Sequence, residues 1–150
     1  MKTSLLSKAF ATNAGSAALI LRVPVGLILM AHGAQKLFGW FGGNGLAGTA
    51  GWLSSMGMEP GLLMAILAGS AEFFGGLALV LGLLTRPAAI VAAFTMLVAI
   101  FSVHIGNGLF AADGGYEYAL VLMVALIALA IQGGGYLSMD KALSEKTGQV

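Results

Sequence analysis

This chain of 150 residues is 59% apolar and only 9% charged, against about 25% charged residues in soluble domains, which excludes an ordinary water-soluble protein. Its net charge of +1, with no basic patch, excludes electrostatic binding of nucleic acid. There is no cysteine, which excludes thiol–disulfide chemistry, a cysteine-ligated iron–sulfur cluster and covalent c-type haem on this chain.

Four apolar stretches follow one another along the chain, each near the roughly 17 to 25 residues that cross the hydrocarbon core of a bilayer. Strand alternation is absent, and only helices or closed barrels satisfy their backbone polar groups in lipid, so helices are predicted. The predicted membrane helices cover residues 15–36, 62–84, 87–106 and 116–132. The sequence therefore predicts an all-α integral membrane four-helix bundle, a single domain over residues 1–150 surrounded by the lipid bilayer.

The first helix is preceded by Lys2 and Lys8, as in a signal peptide, but Arg22 interrupts the apolar run, so we expect it to stay uncleaved. Between the first two helices, residues 49–56 are predicted to form a short outer interfacial helix. The loop also holds G-x-G-x-x-G at 43–48, without the strand and helix that a dinucleotide site requires. The polar tail after residues 133–135 is predicted to form a short cytoplasmic helix.

Positive charges fall on one side of this topology, because the loops 39–61 and 107–115 contain Glu59 and Asp113 but no Lys or Arg. The residues expected on the opposite, positive side are Lys2, Lys8, Arg86, Lys141 and Lys146. By the positive-inside rule, both termini of this multi-pass protein are expected in the cytoplasm.

Ionisable groups inside a membrane helix cost about 2.5 to 3.5 kcal/mol each on insertion scales, so they usually face the bundle interior and indicate function. The candidate ligand-binding residues are Arg22, His32, Gln35, Lys36, Glu72, His104 and Glu117. A helical rise of about 1.5 Å per residue puts five of them in the outer half of the membrane: His32, Lys36, Glu72, His104 and Glu117. If they face inward, they form one polar pocket.

Each candidate also has a structural interpretation. Lys36 and Arg22 could extend to the headgroups, and Glu72 could be protonated or paired with either of them. The two histidines could form hydrogen bonds between helices, and Glu117 could cap a helix N-terminus. Small residues around Glu72, such as Gly69 and Gly76, predict a close helix contact there, with the first helix as the expected neighbour.

Several of these residues stand in motifs that resemble the DoxX family of small four-helix membrane proteins, over roughly residues 17–141. The matching features are Arg22 with Gly26, HGAQKLFG at 32–39, AEFFGG at 71–76, GLLTR at 82–86, His104, Glu117 and SMD at 138–140. The chain departs from the family at residues 133–135, where three glycines replace a frequent Gly-Pro-Gly. The resemblance implies a bacterial cytoplasmic (inner) membrane protein.

The resemblance further implies a membrane redox accessory in a quinone or redox-stress context, without establishing an enzyme. In that hypothesis a histidine, His32 or His104, and Lys36 donate hydrogen bonds to the oxygens of a quinone, and Glu72 or Glu117, the catalytic candidates, exchanges protons during its reduction. The expected partners are a soluble or membrane oxidoreductase subunit and further copies of this chain. Two alternatives remain open: a small-solute or metal transporter, although no metal-ligand spacing supports it, and a scaffold or assembly factor for a partner enzyme.

Overall fold

The computed structural model describes residues 14–146, which are mostly helical and contain no strand. The α-helices are α1 (Ser16–Phe38), α2 (Gly45–Ser55), α3 (Gly61–Leu81), α4 (Thr85–Ala99), α5 (Glu117–Gln132) and α6 (Met139–Lys146). Helix α4 continues into a π-helical turn, Ile100–His104, and a 3₁₀ turn, Ile105–Asn107. The predicted all-α membrane bundle is confirmed. Lys2 and Lys8 lie outside the described residues.

Within residues 14–146, three helical segments are long and apolar enough to cross a membrane: Ser16–Phe38, Gly61–Leu81 and Thr85–Asn107. Helix α5 is also apolar but has 16 residues, which corresponds to about 24 Å at the usual helical rise. It packs along α4, while α1 packs mainly on α3. We call the end of the bundle with the α3–α4 turn and α6 the base, and the opposite end, with α2 and the loop before α5, the top.

The turn at the base corrects two predicted helix ends. Helix α3 ends at Leu81, not at residue 84, because Gly82 adopts the left-handed conformation (φ 65°) and Leu83 N–H donates to the Ala78 carbonyl. Helix α4 starts at Thr85, not at residue 87, and the Asp140 carboxylate accepts the Leu84 and Thr85 N–H groups there, at 2.6 and 2.8 Å. Asp140 is distant in sequence, so this cap was not predicted.

The other four helices lie near their predicted positions, and the start of α2 differs most. Helix α1 continues two residues beyond the predicted end, to Phe38, where Gly39 (φ 72°) ends it. The top helix α2 is longer than the predicted segment 49–56 and starts at Gly45. Helices α5 and α6 lie where the sequence predicts them.

Helices α1 and α3 touch through glycine. A Cβ atom at Gly76 would lie 2.5 Å from the Gly26 carbonyl oxygen, and one at Gly26 would lie 2.6 Å from the Gly76 carbonyl oxygen. A Cβ atom at Gly33 would likewise collide with the Phe73 backbone. Small residues allow such close backbone approach in membrane bundles. This contact fixes the spacing of the two helices that carry Lys36 and Glu72.

Gly76→Ala is therefore expected to lower the free energy of unfolding by about 1 to 3 kcal/mol, because the added methyl group would force the two backbones apart. The measurement is unfolding in mild detergent followed by circular dichroism. Gly51→Ala is the matched control, since a Cβ atom there meets nothing within 4 Å and alanine favours the helix. Equal stabilities of the two variants would contradict the predicted contact.

Candidate ligand-binding site

A cavity of about 340 Å³ lies towards the top of the bundle, between α1, α3, α4 and α5, with α2 beside it. Its polar lining consists of His32, Lys36, Glu72, Thr95, Ser102, His104 and Tyr118. Its apolar lining consists of Leu29, Trp52, Leu53, Met58, Ala68, Met96, Val98, Ala99, Val103, Ala119 and Leu122. The structure thus brings four of the candidates, from α1, α3 and the π-helical turn after α4, to one mostly apolar chamber.

An ion pair joins α1 to α3 at this cavity. Lys36 Nζ lies 2.5 Å from Glu72 Oε2, and the side chains are 26% and 4% exposed, so the carboxylate is the deeply buried partner. Gly69 leaves room for this arrangement, because a Cβ atom there would lie 3.4 Å from the Lys36 Cβ and 2.7 Å from the Leu37 side chain. Lys36 neutralises the carboxylate, and its ammonium group carries further N–H donors that Glu72 does not use.

The two histidines contribute differently to the cavity. The His104 Nδ1 atom lies 2.7 Å from the Gly114 carbonyl oxygen, and the Asn107 amide donates to the same oxygen at 3.3 Å. A carbonyl oxygen only accepts, so Nδ1 carries the proton and Nε2 of the neutral ring is an acceptor. His32 makes no side-chain hydrogen bond to any residue in the range 14–146, and its ring centroid lies 6.1 Å from that of Tyr118.

The π-helical turn Ile100–His104 shapes the α4 wall of the cavity. Three consecutive residues of this segment, Ser102, Val103 and His104, line the cavity. In a regular α-helix consecutive side chains point about 100° apart, so a change of helix type alters which of them face one chamber. Single π-helical turns inside α-helices are frequently found at functional sites.

Two candidates from the top of the bundle do not line the cavity. Glu117 Oε1 accepts the Ala111 N–H at 2.6 Å, which braces the loop that precedes α5. Gln35 Nε2 donates to the Phe41 carbonyl at 3.3 Å, in the turn that follows α1. Both side chains support loops around the cavity, so the expectation that Glu117 joins the other four groups is not met by the geometry.

Arg22 lies at the base, away from the cavity. Its guanidinium is 1% exposed and donates to the carbonyl oxygens of Gly134, Leu79, Val80 and Leu137, at 3.0, 2.9, 2.5 and 2.7 Å. These carbonyls belong to the end of α3 and to the segment between α5 and α6. Together with Asp140, Arg22 ties three segments of the chain at the base, and we call this group the base cluster.

The comparison with known proteins identifies the family. The family model described as DoxX matches residues 17–105, more than half of the chain. The chain belongs to the DoxX family. The match contains Arg22, His32, Lys36, Glu72 and His104, that is, the α1, α3 and α4 parts of the cavity together with the arginine of the base cluster.

Curated relatives extend the similarity to most of the chain. "Putative oxidoreductase CatD" of Bacillus subtilis is 30% identical over 122 residues, which cover 81% of this chain and 83% of CatD. "Inner membrane protein YqjF" of Escherichia coli is 34% identical over 110 residues, 72% of this chain and 82% of YqjF. "Inner membrane protein YphA" of Escherichia coli is 30% identical over 128 residues, 82% of this chain and 87% of YphA. No solved structure matches the chain.

Sequence reasoning missed several members of this DoxX site. Tyr118, which follows Glu117 directly, lines the cavity, and its phenol group in an apolar helix is a sequence signal for an inward-facing polar residue. Trp52 was not among the predicted site residues, and the structure places it on the cavity wall with 43% of its surface exposed. Between residues 14 and 146, no group of three or more His, Asp or Glu side chains is arranged to hold a metal ion.

Proposed function

We propose that this protein is an inner membrane subunit of a quinone-linked oxidoreductase or redox-stress system, and that the cavity binds the quinone ring. The observation that carries the proposal is the buried Lys36–Glu72 pair beside His32 and His104 in an otherwise apolar chamber. The name of CatD supports an oxidoreductase, and the names of YqjF and YphA support the inner membrane. Both termini are cytoplasmic in this proposal.

The lining residues fit a quinone in both shape and chemistry. A chamber of about 340 Å³ is at the small end of ligand pockets, which suits one substituted ring whose apolar tail continues into lipid. Leu29, Met96 and Leu122 offer apolar walls to the ring. Lys36, with N–H donors beyond the one on Glu72, and His32, with no partner among the described residues, can donate hydrogen bonds to two carbonyl oxygens.

Glu72 is the proton-exchanging group of the proposal. Its Oε2 atom is bound to Lys36, and its other carboxylate oxygen can take or return a proton. A bound quinone would supply two-electron chemistry coupled to protons. The chain has no cysteine for a cysteine-ligated electron-transfer cluster, and in this proposal a partner oxidoreductase subunit delivers or receives the electrons.

Binding is favoured over solute transport by the packing at the base. A solute that passed through the bundle would have to cross the base cluster, where Arg22 and Asp140 are each 1% exposed and bound to backbone groups. Opening that route would leave several buried polar groups without partners. A ligand that enters and leaves at the top or from the lipid meets no such barrier.

The test uses the two tryptophans of the chain, Trp40 and Trp52, of which Trp52 lines the cavity. Decylubiquinone is titrated into Trp40→Phe, which keeps Trp52 as the fluorescent group, and into the matched control Trp52→Phe. We expect saturable quenching in the first protein and only weak, linear quenching by quinone dissolved in the micelle in the second. Identical linear quenching in both would contradict quinone binding in this cavity.

A further inference from the structure

We infer that the cavity prefers the reduced, hydroxyl-bearing form of its aromatic ligand, a quinol, and that His104 Nε2 accepts a hydrogen bond from a ligand hydroxyl. This inference rests on the proposed function and deepens it, because it assigns the ligand form that the site recognises. Its basis is the arrangement of fixed donors and acceptors around the chamber, above all the orientation of the His104 ring.

The Gly114 carbonyl group determines the tautomer of His104, and hydrogen bonds within its loop hold this carbonyl in place. Gly114 N–H donates to the Ala111 carbonyl, and Gly115 N–H donates to the Phe110 carbonyl, both at 2.9 Å. Glu117 Oε1 accepts a hydrogen bond from the Ala111 N–H. The Asn107 amide donates to the Gly114 carbonyl oxygen, which also accepts from His104. Because this loop fixes the Gly114 oxygen opposite Nδ1, the neutral imidazole keeps its proton on Nδ1 and offers an unprotonated Nε2.

A fixed acceptor discriminates between the two forms of the ligand. A quinol hydroxyl has a hydrogen to donate to Nε2, whereas a quinone oxygen has none and would face the lone pair of the nitrogen. The second oxygen of the Glu72 carboxylate is an acceptor of the same kind. Lys36 and His32 can donate to an oxygen in either form, so they bind both forms alike. The preference therefore arises chiefly at His104, whose acceptor position is fixed by the loop.

The variant His104→Asn removes the Nε2 acceptor but can keep the hydrogen bond to the Gly114 carbonyl in the loop. An Asn side-chain amide can reach the Gly114 carbonyl from about the position of Nδ1, but it has no atom at the position of Nε2. The matched control is His32→Asn, which alters the other cavity histidine, whose ring has no hydrogen-bond partner in residues 14–146. Each is made in the Trp40→Phe background, and decylubiquinol is used to displace decylubiquinone and restore Trp52 fluorescence.

In the Trp40→Phe parent, decylubiquinol should bind about tenfold more tightly than decylubiquinone, the ratio that one net hydrogen bond produces. His104→Asn should weaken quinol binding about tenfold and change quinone binding by less than about twofold, while His32→Asn should affect both alike. The inference is overturned if the parent binds decylubiquinol and decylubiquinone equally, or binds the quinone more tightly. It is also overturned if His104→Asn weakens the binding of both ligands equally. Each of these results would leave the proposed quinone binding intact. If neither probe binds, the proposed function fails as well.

Discussion

Arg22→Leu is expected to lower the free energy of unfolding by about 3 to 5 kcal/mol, the largest stability effect that we predict. Arg22 is 1% exposed, and its guanidinium donates to four backbone carbonyls. Each buried acceptor left without a donor costs about 1 to 3 kcal/mol, partly offset because a buried charge is removed. The measurement is unfolding in mild detergent followed by circular dichroism.

Lys141→Gln is the matched control for this variant, because it removes a positive charge from the same end of the bundle. The Lys141 side chain is 35% exposed and lies 3.9 Å from Glu145 in a pair one helical turn apart, which is worth less than about 1 kcal/mol. Both variants lose one positive charge, and Lys141→Gln also loses the contact of the ammonium group with the Tyr136 ring at 4.0 Å, so a larger loss of stability in Arg22→Leu reports the buried hydrogen bonds of Arg22. If Arg22→Leu unfolds as the control does, the base cluster does not hold the helices together.

Lys36→Met is expected to lower the free energy of unfolding by about 3 kcal/mol and to abolish quinone binding. The methionine keeps most of the side-chain volume but leaves the Glu72 carboxylate, 4% exposed, without its partner. Removing one member of a buried pair is costly because the remaining charge has neither water nor a counter-ion. Stability is measured by unfolding in detergent, and binding by the quenching of Trp52.

The double variant Lys36→Met, Glu72→Leu separates packing from ligand binding. Replacing a whole buried pair with apolar side chains is often neutral for stability, so the double variant should return to within about 1 kcal/mol of the parent. Quinone binding should remain absent, because both the donor and the proton-exchanging group are gone. If the stable double variant binds quinone as the parent does, the pair serves only to join α1 and α3.

The outline of the fold could be predicted because the lipid that surrounds the chain restricts which structures it can adopt. Long apolar runs with few charges have to become helices in lipid, and their lengths follow from bilayer thickness. The ends of the helices were harder to predict from the sequence. The start of α4 depends on Asp140, more than 50 residues later in the chain, and local signals at the α3–α4 turn carry no information about such a cap.

The candidate site could be predicted in part for a similar reason. His32, Lys36, Glu72 and His104 are polar groups in apolar helices, and the cost of exposing them to lipid predicts that they face inward. Arg22 also faces inward, but it lies at the base, where its guanidinium donates to backbone carbonyls. Arg22 and Lys36 are separated by about four helical turns, which places them on one face of α1, but this spacing does not tell which partners each would meet.

By itself, the sequence determined that the protein lies in a membrane, that it is helical, and which polar residues its helices must hide from lipid. Only the tertiary structure decided that Glu72 pairs with Lys36, that Glu117 braces a loop, and that the π-helical turn brings His104 to the cavity. The physical reason is the range of the forces involved. Hydrophobicity acts on each segment separately, whereas hydrogen bonds and ion pairs depend on distances of about 3 Å that exist only after the helices pack.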